Sequence, residues 1–289
     1  MLGHMVCHVL KESGTIEVHG THIGDVNDPY YFDVGSGMEN LHEICDRSLG
    51  CDYFINCIGM LAGKITLEDP VSIRKAFQLN ALFPHELSSL AKELKARIIH
   101  ISTDGVFEGD ANYYDEDAMH DCTDFYGISK SLGEVMDSHF LNLRCSIVGP
   151  SPFEKGGLLE WFLGQPDGAV VSGYTNHIWH GVSTYQFAKL CLKIIEENVF
   201  DSLREESFVF HFAPNEPITK YELLCFFKEY FGKNVEIEAK QSDEITHKRI
   251  LHTKYERLKK LYPFGLSARE MMSEFVPYVN SNLKGKDGA

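Results

Sequence analysis

Tyr126 and Lys130 are the pair of residues whose types and spacing most clearly suggest chemistry. They bound the segment 126–130, Tyr-Gly-Ile-Ser-Lys. On a helix, residues four apart lie one turn apart on the same face, with their Cβ atoms about 6 Å from each other. A free tyrosine has a pKa of about 10, and a neighbouring ammonium favours the phenolate, which lowers that pKa toward the range useful for proton transfer. The alternative is an exposed tyrosine–lysine pair, because this spacing also occurs by chance.

Hydroxyl groups follow a predicted buried strand about twenty residues earlier. The strand 97–102 leads into Ser102, Thr103 and Asp104. The carboxyl ends of parallel strands face the crevice in which α/β sheets bind ligands. Thr103 or Ser102 can therefore donate a hydrogen bond to a substrate carbonyl oxygen while Tyr126 supplies a proton.

Two further residues have positions suited to a binding site. The apolar run 52–58 is predicted to be a strand buried on both faces, and Gly59 directly after it would let the backbone approach a cofactor. Asn80 is a polar residue within a predicted amphipathic helix, 73–94.

The elements that must position these residues alternate between strands and helices. This alternation predicts an α/β protein with a Rossmann-like, doubly wound parallel sheet. The predicted strands of residues 1–150, the expected dinucleotide-binding domain, are 15–20, 31–34, 52–58, 97–102 and 143–148, with helices at 4–11, 38–49, 73–94 and around 126–140. Residues 151–289 are expected to form a smaller substrate-binding lobe interleaved with the last strands of the sheet.

Composition and charge exclude several classes of protein. The 289 residues carry a net charge of -15, which repels phosphate backbones and argues against a nucleic-acid partner. No apolar run reaches the roughly 18 residues that a membrane span needs. The eight cysteines include no C-x-x-C pair, which favours reduced thiols in a cytoplasmic protein. The fourteen histidines lack ligand spacing, so we expect no metal site.

Several motifs, in this order and spacing, resemble the extended short-chain dehydrogenase/reductase family. The similarity is greatest to its dTDP-4-dehydrorhamnose reductase branch, which reduces keto groups on nucleotide-linked deoxysugars. The matching residues are Asp33-Val34, Asn80 in a Leu-Asn-Ala setting, Ser102-Thr103-Asp104 with Val106-Phe107, the Tyr126/Lys130 pair and the segment 143–149.

The resemblance implies a reduction that takes hydride from NADH or NADPH, in the biosynthesis of a surface polysaccharide. Tyr126 would protonate the nascent alkoxide, Thr103 would orient the carbonyl, and Lys130 would lower the tyrosine pKa and bind the nicotinamide ribose. Asn80 would support a proton path to the lysine. The cofactor-binding residues are expected to be Gly3, Asp33, Val34, Asn56, Cys57, Ile58, Gly59, Ser102, Tyr126 and Lys130.

The expected substrate-binding residues are less sharply indicated. They are Asp104, Arg144, Asn176, Trp179 and Arg249. For Asp104 and Arg144 the alternatives are a strand-end cap and a structural ion pair. For the glycine-bounded segment 173–181, which contains Asn176 and Trp179, the alternative is a turn with a packed tryptophan. For Arg249, which would meet a diphosphate, the alternative is a solvated surface residue.

The sequence departs from the family pattern at its beginning. The family's Gly-x-x-Gly-x-x-Gly phosphate loop is represented only by Gly3, and the strand that should precede it is missing. We expect the true start to lie upstream of Met1. The segment 18–22 offers neither the acid that holds a free ribose nor the arginine that holds a 2′-phosphate, so the choice between NAD and NADP stays open.

Two other functions fit the same residues. A nucleotide-sugar epimerase or dehydratase would reuse the tyrosine and the bound cofactor. A catalytically silent nucleotide-binding or regulatory subunit could be built on the same fold, and the incomplete phosphate loop keeps that alternative open. The sugar, the nucleobase and the oligomeric state, including a homo-oligomer, are not determined.

Overall fold

The chain forms alternating helices and strands. The computed structural model describes residues 1–48, 50–109, 113–151, 156–242 and 248–284. Within these ranges the helices are α1 Leu2–Ser13, α2 Glu39–Arg47, α3 Pro70–Phe77, α4 Phe83–Leu94, α5 Phe125–Leu132, α6 Leu158–Leu163, α7 Thr184–Glu196, α8 Phe200–Glu206, α9 Lys220–Phe231, α10 Glu256–Leu261 and α11 Ala268–Lys284. The strands are β1 Tyr53–Asn56, β2 Arg97–Thr103, β3 Phe140–Cys145, β4 Ile147–Val148, β5 Ala169–Tyr174, β6 Ile178–Trp179, β7 Val182–Ser183, β8 Val209–His211, β9 Ile218–Thr219 and β10 Val235–Lys240.

A parallel four-stranded sheet lies at the centre of the fold, in the order β1-β2-β3-β8. Ile98 and Ile99 of β2 are completely buried, as expected for an inner strand covered on both faces. The predicted Rossmann-like α/β class is therefore confirmed. Because the strands are parallel, the carboxyl ends of β1, β2 and β3 meet at one edge.

Two predicted strands are not formed. Residues 15–20 have no strand partner, and in 31–34 only Tyr31 forms an isolated bridge, with His22. Phe32 and Val34 are nevertheless buried beside helix α4, where Phe32 packs against Phe83. Among the described residues, none pairs with the outer edge of β1, so these segments find no ladder of backbone hydrogen bonds to join.

Two predicted helices differ in their extent. The helix expected around 126–140 ends at Leu132, and the chain turns before β3 begins. The helix expected at 38–49 is observed as α2, and residue 49 lies outside the described residues.

The remaining strands form three small two-stranded sheets, β5 with β10, β4 with β7, and β6 with β9. Strand β8 returns to the central sheet beside β3. The division at residue 150 into two domains stays a prediction. The largest hydrophobic core joins α1 to α7 and to the central sheet, through buried residues such as Met5, Phe187 and Leu143.

Candidate active site

Thr103 lies at the carboxyl end of β2 and caps the short 3-10 helix 104–106. Its Oγ1 accepts a hydrogen bond from the Gly105 N–H at 3.0 Å, and its hydroxyl lies 3.3 Å from the Asp104 carboxylate. The side chain is almost completely buried. The strand end thus holds one hydroxyl in a fixed position at the edge where a ligand is expected.

Helix α5 carries Tyr126 and Lys130 one turn apart. The helix begins at the cap residue Asp124, whose carboxylate accepts a hydrogen bond from the Gly127 N–H at 2.9 Å. A β-carbon on Gly127 would lie 2.4 Å from the Gly105 carbonyl oxygen, so only glycine lets the helix approach the turn after β2 this closely. This contact places the Tyr126 ring against Gly105.

The Tyr126 phenol is protonated at neutral pH. Burial raises its pKa to about 12, while a hydrogen bond with the Thr103 side chain lowers the pKa and the Asp104 charge raises it. Burial outweighs the local charges, and the strongest influences on this pKa do not include Lys130. The expectation that its ammonium lowers the Tyr126 pKa stays a prediction. A protonated phenol beside the Thr103 hydroxyl is the form that can donate a proton.

The Lys130 side chain is directed toward the strand rather than toward the phenol. Its Nζ donates a hydrogen bond to the Ile101 carbonyl at 2.7 Å and lies 3.4 Å from Nε2 of His100. Burial lowers the Lys130 pKa to about 8, against the opposing effects of Glu134, Cys145 and Cys57. A lysine with this pKa can change its protonation state near neutral pH.

Asn80 lies in a π-helical turn, Gln78–Leu82, between α3 and α4. Its amide accepts a hydrogen bond from the Met60 N–H at 2.7 Å and donates to the Met60 carbonyl at 3.0 Å and to Ser129 Oγ at 3.1 Å. Asn80 therefore ties the loop after β1 to the helix that carries Tyr126. Single π-turns within helices are frequent at functional sites.

Arg144 takes part in a buried ion pair. This is the structural role that the sequence analysis gave as the alternative to substrate binding. Its guanidinium donates to both carboxylate oxygens of Glu134 at 2.8 Å. The remaining contacts are to His211 Nε2 at 3.1 Å and His120 Nε2 at 2.5 Å. Only 3% of Arg144 is exposed, so the structure gives it no donor directed into an open cleft.

The other expected substrate residues fall into two groups. Asp104 and Arg249 are brought together: burial raises the Asp104 pKa and the Arg249 charge lowers it. Asn176 is fixed by two hydrogen bonds to the backbone of Ser242, at 2.9 and 3.0 Å. Trp179 is buried in the main core. It therefore packs within the protein, as in the alternative to substrate binding given for the segment 173–181.

The expected cofactor residues lie along the loop after β1 and at the start of α1. A β-carbon on Gly3 would lie 3.6 Å from Cβ of Cys57, and one on Gly59 would lie 3.2 Å from Oδ1 of Asn80. Asn56 is buried and accepts a hydrogen bond from the Ile58 N–H at 3.0 Å.

The remaining expected cofactor residues have internal partners. The Asp33 carboxylate accepts a hydrogen bond from the Gly35 N–H at 2.9 Å, and Val34 is buried. Ser102 donates to Glu134 at 2.5 Å, so its hydroxyl is engaged within the protein rather than in the crevice.

Sequence reasoning missed three contributors to this site. His100 contacts Lys130, Glu134 pairs with Arg144 and Ser102, and Gly133 packs against Asn80. Glu134 is four residues after Lys130, but it lies beyond the end of α5 at Leu132, so helix spacing does not link the two residues. The contacts of His100 and Gly133 depend on tertiary packing, so no local sequence pattern predicts them.

The described residues contain neither a membrane-spanning helix nor a cluster of metal-binding side chains. No helix among them is long and apolar enough to cross a bilayer. No group of three or more His, Cys, Asp or Glu side chains within the same ranges could hold a metal ion.

Comparison with known proteins agrees with this architecture. Residues 67–148 match the family model described as RmlD substrate binding domain. A dTDP-4-dehydrorhamnose reductase from Clostridium acetobutylicum superimposes with a TM-score of 0.71 at 20% identity, over 96% of each chain. A dTDP-4-dehydrorhamnose reductase from Bacillus anthracis in complex with NADP gives a TM-score of 0.72 at 15% identity, over 94% of this chain and 95% of that one.

The chain has the fold of the dTDP-4-dehydrorhamnose reductases. The resemblance inferred from the motifs is thereby confirmed. The family model covers the segment that holds Asn80, Thr103, Tyr126 and Lys130.

A curated relative has a different description. The methionine adenosyltransferase 2 subunit beta of Xenopus tropicalis is 26% identical over 163 residues, which is 53% of this chain and 48% of the relative. The chain thus matches about half the length of that relative.

Proposed function

We propose that this chain reduces a ketone on a nucleotide-linked deoxysugar, using NADH or NADPH. The observation that carries the proposal is the placement of Thr103 Oγ1 and the Tyr126 ring side by side against Gly105, with the phenol protonated, at the carboxyl end of the central sheet. A hydroxyl that orients a carbonyl, beside an acid that protonates the resulting alkoxide, is the arrangement that ketone reduction requires.

The residues around this pair fit the nicotinamide end of a dinucleotide. Lys130 and Tyr126 would hold the ribose, and the loop from Asn56 to Gly59 would lie along the cofactor. A β-carbon on Gly59 would lie 3.2 Å from Oδ1 of Asn80, so glycine lets this loop pass Asn80 without displacing it. At the phosphate end, the chain contributes Gly3 at the start of α1, where helix amides favour a negative group. The bound dinucleotide supplies the hydride.

The protein groups then carry out the proton side of the reaction. The Thr103 hydroxyl donates a hydrogen bond to the substrate carbonyl oxygen and makes the carbon more electrophilic. The Tyr126 O–H transfers its proton to the alkoxide oxygen, which completes the alcohol. Asp104, whose pKa is lowered by the Arg249 charge, and Arg249 itself would contact the substrate. We place the reaction in surface polysaccharide biosynthesis, in the cytoplasm.

The decisive experiment follows nicotinamide absorbance with a panel of keto-sugar nucleotides. Tyr126→Phe should reduce kcat by about 10²- to 10⁴-fold, the usual contribution of a general acid, while cofactor still binds. Tyr230→Phe removes a phenol on the surface helix α9 and should keep the parent rate. Unchanged turnover in Tyr126→Phe would refute the role of this residue.

A second candidate function follows from the curated relative. The similarity to a methionine adenosyltransferase subunit favours a nucleotide-binding subunit that regulates a partner enzyme. In that case the chain would bind NADPH or NADH without turnover on any sugar, and would change the rate of a methionine adenosyltransferase when the two are mixed. Net loss of nicotinamide absorbance with a keto-sugar nucleotide would exclude this candidate as the sole function. The same net loss would exclude an epimerase or dehydratase, because those enzymes regenerate their cofactor.

A further inference from the structure

Cys45 and Cys51 are two thiols that lie next to each other where helix α2 ends. Cys45 is in the last turn of α2, and its carbonyl accepts a hydrogen bond from the Gly50 N–H at 3.1 Å. A bond from a residue five positions later is the closure that a Schellman motif makes at a helix C-terminus. Gly50 has a φ of 119°, a conformation that favours glycine. The turn therefore brings Cys51, the residue after Gly50, back to Cys45 before β1 begins.

The side chains of the two cysteines are in direct contact. Their thiols share a hydrogen bond, and the Cys51 Sγ also lies 3.1 Å from the Tyr53 carbonyl, to which it donates. Cys45 is only 4% exposed, whereas Cys51 is partly exposed. The pair thus combines a buried sulfur with one that small solutes can reach.

The shared hydrogen bond makes the first proton of the pair easier to remove. When one sulfur is a thiolate, the S–H of the other donates to it and stabilises it. This contact lowers the Cys45 pKa, against burial, and the His42 charge adds to the effect while Asp46 opposes it. The Cys51 pKa is raised by the same contact and by burial, because the second proton must leave a pair that already carries a charge. A thiolate is the form that attacks disulfides.

Burial has the opposite effect on the deeper thiols of the fold. Cys145 and Cys191 are 2% and 0% exposed, and burial is the main cause that raises the pKa of each. A neutral thiol that solvent does not reach is a poor nucleophile. We therefore expect reaction with an oxidant to begin at the pair of Cys45 and Cys51.

We propose that Cys45 and Cys51 form a reversible redox site, which a small disulfide oxidant such as glutathione disulfide converts into an intramolecular disulfide. A thiolate of the pair attacks one sulfur of the oxidant, whose S–S bond breaks to release one glutathione thiolate. The second cysteine then attacks the mixed disulfide, forms the bond between Cys45 and Cys51 and releases the second glutathione. The two protons of the cysteines pass to the two glutathione thiolates, and the two electrons that the protein loses reduce the oxidant.

The redox site is separate from the candidate active site. Cys51 precedes the amino end of β1, whereas Thr103 ends the neighbouring parallel strand β2. The two sites therefore lie at opposite edges of the central sheet. A chain without reductase activity could still form this disulfide, and an active reductase could fail to form it.

The test treats the whole folded chain with glutathione disulfide, blocks the remaining thiols and maps the linked peptides by mass spectrometry. Trypsin cleaves after Arg47 and so leaves Cys45 in the peptide 12–47 and Cys51 in the peptide 48–64. We expect these two peptides to be joined in the parent, and the link to disappear after reduction with dithiothreitol. Unlinked peptides, or a Cys51 that retains glutathione, would overturn the proposal.

Serine variants identify the sulfurs, because the peptide 48–64 also contains Cys57. The link should be lost in Cys51→Ser and retained in Cys57→Ser. The matched control is Cys225→Ser, which removes a partly exposed thiol on α9 and should leave the link intact. A link that persists in Cys51→Ser would join Cys45 to Cys57 and would refute the pair.

Phenylarsine oxide gives a second measurement on the parent chain, which requires neither an oxidant nor a variant. A trivalent arsenical binds two adjacent sulfurs at once and protects both from alkylation. We expect this reagent to protect Cys45 and Cys51 together. Alkylation of Cys51 at the same rate with and without the arsenical would show that the two sulfurs do not act as a pair.

Discussion

The backbone carbonyl of Asn80 occupies the space that a side chain on Gly133 would need. A β-carbon built on Gly133 would lie 1.9 Å from that oxygen. The end of α5 therefore rests directly on the π-helical turn, while Asn80 holds Ser129 from the same turn. This contact fixes the helix that carries Tyr126 and Lys130.

Gly133→Ala should destabilise the protein and reduce its activity, because helix α5 must move to accommodate the methyl group. Overpacking of this kind costs about 1–3 kcal/mol, to be measured by chemical unfolding. Gly63→Ala is the control, since a β-carbon there meets no atom within 4 Å. Equal unfolding free energies in the two variants would show that α5 does not depend on this contact.

Thr103→Val should lower kcat for ketone reduction by about 10²- to 10³-fold, because it removes the hydroxyl that polarises the carbonyl. Thr103→Ser retains the hydroxyl and should keep most of the rate. Steady-state kinetics with a keto-sugar nucleotide check both variants. Parent-like turnover in the valine variant would exclude Thr103 from the reaction.

Glu134→Gln should lower the free energy of unfolding by about 3–5 kcal/mol, because it leaves the Arg144 guanidinium buried without a counter-charge. The matched control is Glu229→Gln, which breaks the exposed pair with Arg269 and should cost at most about 1 kcal/mol. Urea unfolding of both variants makes the comparison. Similar losses of unfolding free energy in the two variants would mean that the buried ion pair contributes no more to stability than the surface pair.

His211 should make stability depend on pH on the acid side of neutrality. Burial, with the Arg144 charge, lowers its pKa from 6.5 to about 3. Below pH 6.5 the unfolded chain binds a proton that the folded chain does not, so the free energy of unfolding should decrease as the pH falls from about 6.5 toward 3.

His211→Asn should flatten this dependence, as measured by urea unfolding at a series of pH values. The same substitution at the exposed residue His85 is the control. A pH dependence in His211→Asn as steep as in the parent would contradict the assignment.

Much of the candidate site was predictable because its signals are local. The four-residue spacing of Tyr126 and Lys130 depends only on helix geometry, and Thr103 stands at the end of a strand recognisable by its apolar run. The same local reasoning failed at residues 15–20, because a strand needs a neighbour that no short pattern can guarantee.

The sequence by itself determined the α/β class, the residue types at the site and their order along the chain. These follow from the periodicity of apolar residues and from the positions at which the strands end. Only the tertiary structure decided the partners: Arg144 with Glu134 instead of the crevice, and Lys130 with His100 instead of the phenol. The physical reason is that sheet register and helix packing join residues far apart in sequence. Burial at those contacts then sets the pKa values, which residue type and spacing do not determine.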